Sequence, residues 1–151
     1  MEGERTELKA EDRQWVSEAL HGLAPTKMDK REWIPLGSGE HNGTPVTRYR
    51  MTGRNVVVLL SVTPVVLRKS SQFSEKRVSY HVTIAKVDGD RVSTPNESEI
   101  AAARRTFFKR DLRPEERKHE GRMGDSKAHH IVALVEWNGA SKLANPSGGL
   151  Y

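Results

Sequence analysis

Along the stretch "RVSYHVTIAKV" apolar and polar side chains alternate. Val78, Tyr80, Val82 and Ile84 fall on one face, and Ser79, His81, Thr83 and Ala85 on the other. A period of two marks a strand with one covered face, and the Asp-Gly pair after Val87 supplies its turn. Upstream, "PVTRYRMT" alternates in the same way, and "TGRN" provides turn chemistry after it. The next run, "VVVLLSVTPVV", is continuously apolar and rich in β-branched residues, which predicts a strand covered on both faces. Pro64 should end its regular pairing or mark a bulge. The three strands are expected to form a hairpin meander. A last strand is predicted over residues 128–137, "AHHIVALVEW", ended by an Asn-Gly turn.

Two segments follow a helical period instead. Trp15, Val16, Ala19, Leu20 and Leu23 recur at three- and four-residue intervals over residues 9–21 and just beyond, with Gly22 as a stop. In "TPNESEIAAARRTFFKR", Thr94 can cap, Pro95 suits the first helical position and Glu97 can close a capping box. Ile100, Ala103 and Phe107 form the stripe that would cover a sheet. The polar stretches "GSGEHNGTP", "RKSSQFSEK" and "DLRPEERKHEGRMGDSK" read as loops. The predicted architecture is an α+β domain over residues 1–137, with a mainly antiparallel sheet of four or five strands packed by one long helix at residues 95–109 and an additional N-terminal helix. Residues 138–151 have the composition of a polar C-terminal tail. Val58, Leu60, Val82, Ile84, Ile100, Phe107, Ile131 and Ala133 are core candidates.

Composition narrows the chemistry. There are 151 residues and no cysteine, which rules out a disulfide framework, a thiol nucleophile and a cysteine zinc site. No apolar run is long enough to span a membrane, and the first residues are acidic and polar rather than signal-like. A cytoplasmic protein is expected. The net charge of +5 is unevenly placed: no acid occurs between Glu40 and Glu75, while Arg48, Arg50, Arg54, Arg68 and Lys69 lie inside. Residues 104–122 hold eight Lys/Arg against four Asp/Glu. A local positive field of this kind attracts phosphates.

The candidate anion-binding or nucleic-acid-binding residues are therefore Arg48, Tyr49, Arg50, Arg54, Arg104, Arg105, Phe108 and Lys109. Arginines on a hairpin can straddle a phosphate backbone, and an exposed Tyr or Phe can stack on a base. No base-reading motif accompanies them, so mild affinity and little sequence preference are expected. A second chemistry is suggested by His81-Val82-Thr83 and His130. Phosphoesterases with two histidines use one as general base and one as general acid, with hydroxyls holding the phosphate. His130-Ile131-Val132 lacks the second hydroxyl, which favours a non-enzymatic protein, with a phosphoesterase-like site at His81, Thr83 and His130 as the alternative. Four histidines, His81, His119, His129 and His130, are the candidate metal ligands by residue type. His129 and His130 are consecutive, so on a strand they leave opposite faces. No metal and no cofactor is implied.

From "YHVTIAKVDGDRV" through "TPNESEIAAARRTFF" to "HHIVALVEW" the chain resembles a group of small, uncharacterised phage, prophage and bacterial proteins. These have a strand with a His-Leu-Ser-like motif, a helix entered through a polar cap, and a closing strand with a His-Leu-Trp-like ending. His81-Val82-Thr83 stands at the first motif and Val135-Glu136-Trp137 near the second, without a histidine directly before the tryptophan. The resemblance covers the last third to half of the chain and implies a phage-like origin and a strand-helix-strand core. A homo-oligomer or a component of a phage-type particle is the expected assembly.

Overall fold

A computed structural model describes residues 10–25, 28–41, 43–68, 74–108 and 117–136. In chain order the elements are α1 (Ala10–Leu23), β1 (Trp33–His41), β2 (Thr44–Met51), β3 (Val56–Arg68), β4 (Ser74–Asp88), β5 (Arg91–Ser93), α2 (Glu97–Phe107), β6 (Arg117–Gly121) and β7 (His129–Glu136). The strands form one sheet in the order β1-β2-β3-β4-β7-β6, with the short β5 paired to the end of β4. Every pairing is antiparallel.

Both helices lie on the same side of this sheet. Val16, Ala19 and Leu20 of α1 and Ala102, Ala103 and Phe107 of α2 join one core cluster with Val58, Leu60, Tyr80, Val82, Ile84, Ile131 and Ala133. Every core candidate named from the sequence is buried, Ile100 included. Aromatic rings close this layer. Phe107 meets Trp33 edge-on at 5.1 Å and tilts against Tyr49 at 5.1 Å. The polar ends of the large rings are satisfied: the Trp33 indole donates to Thr106 Oγ1 (3.0 Å), and the Tyr80 hydroxyl donates to the Phe107 carbonyl (3.2 Å). Burial also pushes the Tyr80 phenol pKa far up, so it stays a neutral donor.

The sheet is larger and the helix shorter than the sequence predicts. Seven strands are present among the described residues instead of four or five, and no one long helix packs them: α2 has 11 residues and α1 has 14. The strands missed are the edge strands β1 and β6 and the three-residue β5. Edge strands meet solvent, so their sequences stay polar and show no alternation. In β1, Pro35 and Gly37 hide the pattern further, because the register shifts between them and Gly37 takes φ +111°. A glycine adopts that backbone without strain.

The helix start also moves. Asn96, not Thr94, is the N-cap: its side chain accepts from the Glu99 amide (2.9 Å), and the Glu99 carboxylate accepts from the Asn96 amide (2.8 Å). The capping box is thus two residues later than expected, because Glu99 is the acid that also finds cations on the sheet. Pro64 does not interrupt β3 either, and it pairs in register with Val78. β2 ends its pairing with β3 at Ser61, so Pro64 lies where β3 has an open edge and a missing N–H can be tolerated. The apolar run of β3 is not covered on both faces. Val56, Val58, Leu60 and Val62 are fully buried, whereas Val57, Leu59 and Ser61 are half-buried on the side without helices.

Candidate functional site

Strand registers bring the sequence candidates onto that helix-free face. Arg48 of β2 pairs with Leu59, Leu59 with Thr83 and Thr83 with His130; in the adjacent row Val46, Ser61, His81, Val132 and His119 follow one another across the sheet. Residues in one row project the same way, and rows two residues apart share the face. His81, Thr83 and His130 are therefore neighbours, and His119 joins them from β6. Arg48 stands two strand spacings, about 10 Å, from Thr83 and three from His130, and Arg50 lies two residues further along β2.

A hydroxyl meets each of the two central histidines. Ser79 Oγ lies 2.9 Å from His81 Nε2, Thr83 Oγ1 lies 3.2 Å from His130 Nδ1, and Ser126 Oγ lies 3.1 Å from His130 Nε2. A hydroxyl can donate or accept, so each contact suits a neutral imidazole. Burial lowers the pKa of His81, and the nearby His130 lowers it further. Burial likewise lowers that of His130, helped by His119 and His129. Both rings are thus neutral at pH 7 and act as hydrogen-bonding groups. The buried Nε2 of His119 has no hydrogen-bond partner among the described residues.

On β2 the side chains divide by face. Arg48 and Arg50 are exposed beside this cluster and make no ion pair among the described residues. Gly37 stands opposite Arg48 on β1, so no side chain covers the guanidinium from that edge. Tyr49 points the other way, is buried, and packs on Phe107; it cannot stack on a base. Phe108 is half-buried against Tyr80, with ring centroids 5.2 Å apart.

The remaining basic candidates are engaged on the helix side. Arg54 donates to the buried Glu99 carboxylate (3.1 Å), with Lys86 3.8 Å from the same oxygen. Arg104 pairs with Glu120, which also accepts from His129 Nε2 at 3.0 Å. Burial alone would raise the Glu120 carboxyl pKa, but the hydrogen bonds from Arg104 and His129 outweigh it and hold the group below the usual carboxylate value. Arg105 lies 3.6 Å from Glu32. The described arginines of the two segments thus do not share one patch: β2 supplies Arg48 and Arg50 to the bare face, and Arg104 and Arg105 of α2 pair with acids. Lys109, Trp137 and the tail at 138–151 lie outside the described residues.

His129 and His130 do leave opposite faces, the first towards Glu120 and the second towards Thr83. No group of three or more His, Asp or Glu among the described residues is arranged to hold a metal ion. Sequence reasoning missed Ser126 and Lys86. Ser126 lies in a polar stretch, and its approach to His130 follows from a turn that no local pattern announces. No helix among the described residues is long and apolar enough to cross a membrane. No protein family, curated protein or solved structure matches the chain.

Proposed function

We propose that the helix-free face of the sheet binds phosphate groups of a nucleic acid or nucleotide. In this reading the protein is a non-enzymatic accessory or assembly protein of a phage-like system, acting in the cytoplasm or in the particle. One observation carries it: two arginines without an ion-pair partner among the described residues stand on the same face as a cluster of neutral histidines and hydroxyls. Guanidinium groups supply charge-assisted bonds to phosphate oxygens, and neutral N–H and O–H groups add donors with little desolvation cost. The phage-like setting rests on the resemblance around His81-Val82-Thr83, and assembly as a homo-oligomer or particle component belongs to that setting.

The test is a salt titration of binding to duplex DNA, single-stranded DNA, RNA and cyclic nucleotides, repeated with Arg48→Glu plus Arg50→Glu. Salt-sensitive binding that the double variant loses supports the reading. Absence of binding to all four at about 50 mM salt, where phosphate contacts are strong, defeats it.

A second reading, a two-histidine phosphoesterase-like enzyme, is favoured by the contact between Thr83 and His130 in register beside His81. Against it, Val132 stands where a second hydroxyl would be needed, and hydroxyls already meet both nitrogens of His130. Hydrolysis of oligonucleotides or cyclic nucleotides that disappears in His81→Ala would favour the enzyme.

A further inference from the structure

Where the bare face ends, at the turn between β2 and β3, an open cavity of about 870 Å³ begins. Arg50, Arg54 and Lys86 line it, with Asn96 and Glu99 from the start of α2 and the exposed Leu36 at its rim. Glu99 is the one carboxylate in this lining, and it is fully engaged: one oxygen accepts from the Asn96 amide, the other from Arg54, with Lys86 beside it. One cation suffices to balance one buried carboxylate. Three cations line the cavity with it, two of them, Arg54 and Lys86, directly against the carboxylate, so two positive charges are left over in a concave site. Arg54 uses a single N–H on Glu99 and its side chain is half-exposed, and Arg50 uses none. Their remaining donors are free for a ligand. The positive end of the α2 dipole adds to the field.

We propose that this cavity takes a phosphomonoester, the terminal phosphate of a nucleic-acid strand or of a free nucleotide. It rests on the reading of the adjoining face as a phosphate-binding surface, with Arg50 common to both. The charge argues for the terminal group over an internal one: a monoester carries about −1.5 to −2 at pH 7, which matches the surplus, whereas an internal diester carries one charge. The volume admits a phosphate with its sugar, and Leu36 offers an apolar surface to the base or sugar that follows.

The experiment compares fluorescently labelled single strands that differ only in a 5′-phosphate or 5′-hydroxyl, with inorganic phosphate and a nucleoside monophosphate as competitors. The phosphorylated strand should bind about tenfold more tightly, the worth of one additional set of charge-assisted hydrogen bonds. Lys86→Gln and Arg50→Gln, both at partly exposed positions, should remove that preference while circular dichroism stays unchanged. Arg48→Glu, outside the cavity, should weaken both strands alike. Equal binding of the two strands by the native chain overturns the cavity proposal and leaves the bare-face reading standing. Direct calorimetric binding of the nucleoside monophosphate without binding of either strand supports the cavity, with a free nucleotide as its ligand, and defeats the bare-face reading as an interface for nucleic acid. Preference retained in both glutamine variants overturns the cavity assignment.

Discussion

The two faces of one sheet are built from the same strands and do opposite work. On the inner face, Val58, Leu60, Tyr80, Val82 and Ile131 pack under α1 and α2 with nothing polar left unsatisfied at Trp33 and Tyr80. On the outer face, one residue along each strand, Leu59, His81, Thr83 and His130 are half-exposed, and the polar groups among them bond to one another and to Ser79 and Ser126. Because strand side chains alternate, a single register decides both surfaces together. Stability is concentrated on one side, which leaves the other free to carry chemistry at small cost to the fold.

Adjacent leucines of β3 give the largest contrast. Leu60→Ala should cost about 2–5 kcal/mol, as truncations of fully buried leucines do, whereas Leu59→Ala should cost about 1 kcal/mol or less, because part of its surface already meets water. Denaturant midpoints of the two variants check this. A cost at Leu59 equal to that at Leu60 would mean that the outer face is packed against something and is not a binding surface.

Charge reversal of Arg48 and Arg50 probes the outer face alone. If each contacts one phosphate, the double variant should flatten the log–log salt dependence of duplex binding by about 2 units, at about 0.9 per phosphate. Its denaturant midpoint should stay near that of the parent, since neither arginine has an ion-pair partner to lose among the described residues.

Loss of the N-cap is a test of the inner side with a smaller effect. Asn96→Ala should destabilise the protein by about 1 kcal/mol, because the Glu99 amide loses its acceptor. Urea unfolding measures it, and polyanion binding at the bare face should be unaltered.

The smallest effect is expected from pH. Folded-state pKa values of His81 and His130 are lowered, chiefly by burial. The unfolded chain therefore binds more protons once pH falls below about 6.5, the ordinary histidine value. The stability they contribute is complete above that pH and is lost as pH drops towards the folded-state values. His81→Asn should make the denaturant midpoint less sensitive to pH between about 6.5 and 5. Phosphate binding works in the opposite direction, because a bound anion favours the protonated rings and affinity should rise as pH falls.

Much of this comparison was legible in the sequence, and the reason is physical. Strands β3, β4 and β7 lie in the middle of the sheet, where burial demands apolar residues and makes the strands visible, and the alternation of β4 assigned Val82 and His81 to opposite faces. The Asn-to-Glu capping box was misplaced because Thr94, Asn96, Glu97 and Glu99 all offer the right groups, and the choice among them depends on Arg54 and Lys86 arriving from the sheet. Tyr49 was misassigned as a stacking residue since composition cannot say which face of a hairpin a helix will cover. The edges β1 and β6 were invisible for a related reason: a strand that meets solvent carries no burial pattern to read. His119 and Ser126 come next to His130 only through β6 and its turn.

The long reach of β3 past its neighbour has a consequence for motion. Beyond Ser61, β4 is the one strand among the described residues that holds β3, since β2 pairs no further than that residue. Opening that stretch breaks one ladder of hydrogen bonds, whereas opening the centre of the sheet breaks two along with the core beneath. Amide protons from Thr63 onward should therefore exchange with solvent through local separation of the β3–β4 ribbon, at rates that ignore the global stability of the fold, while those at Val58 and Leu60 wait for the whole molecule to unfold.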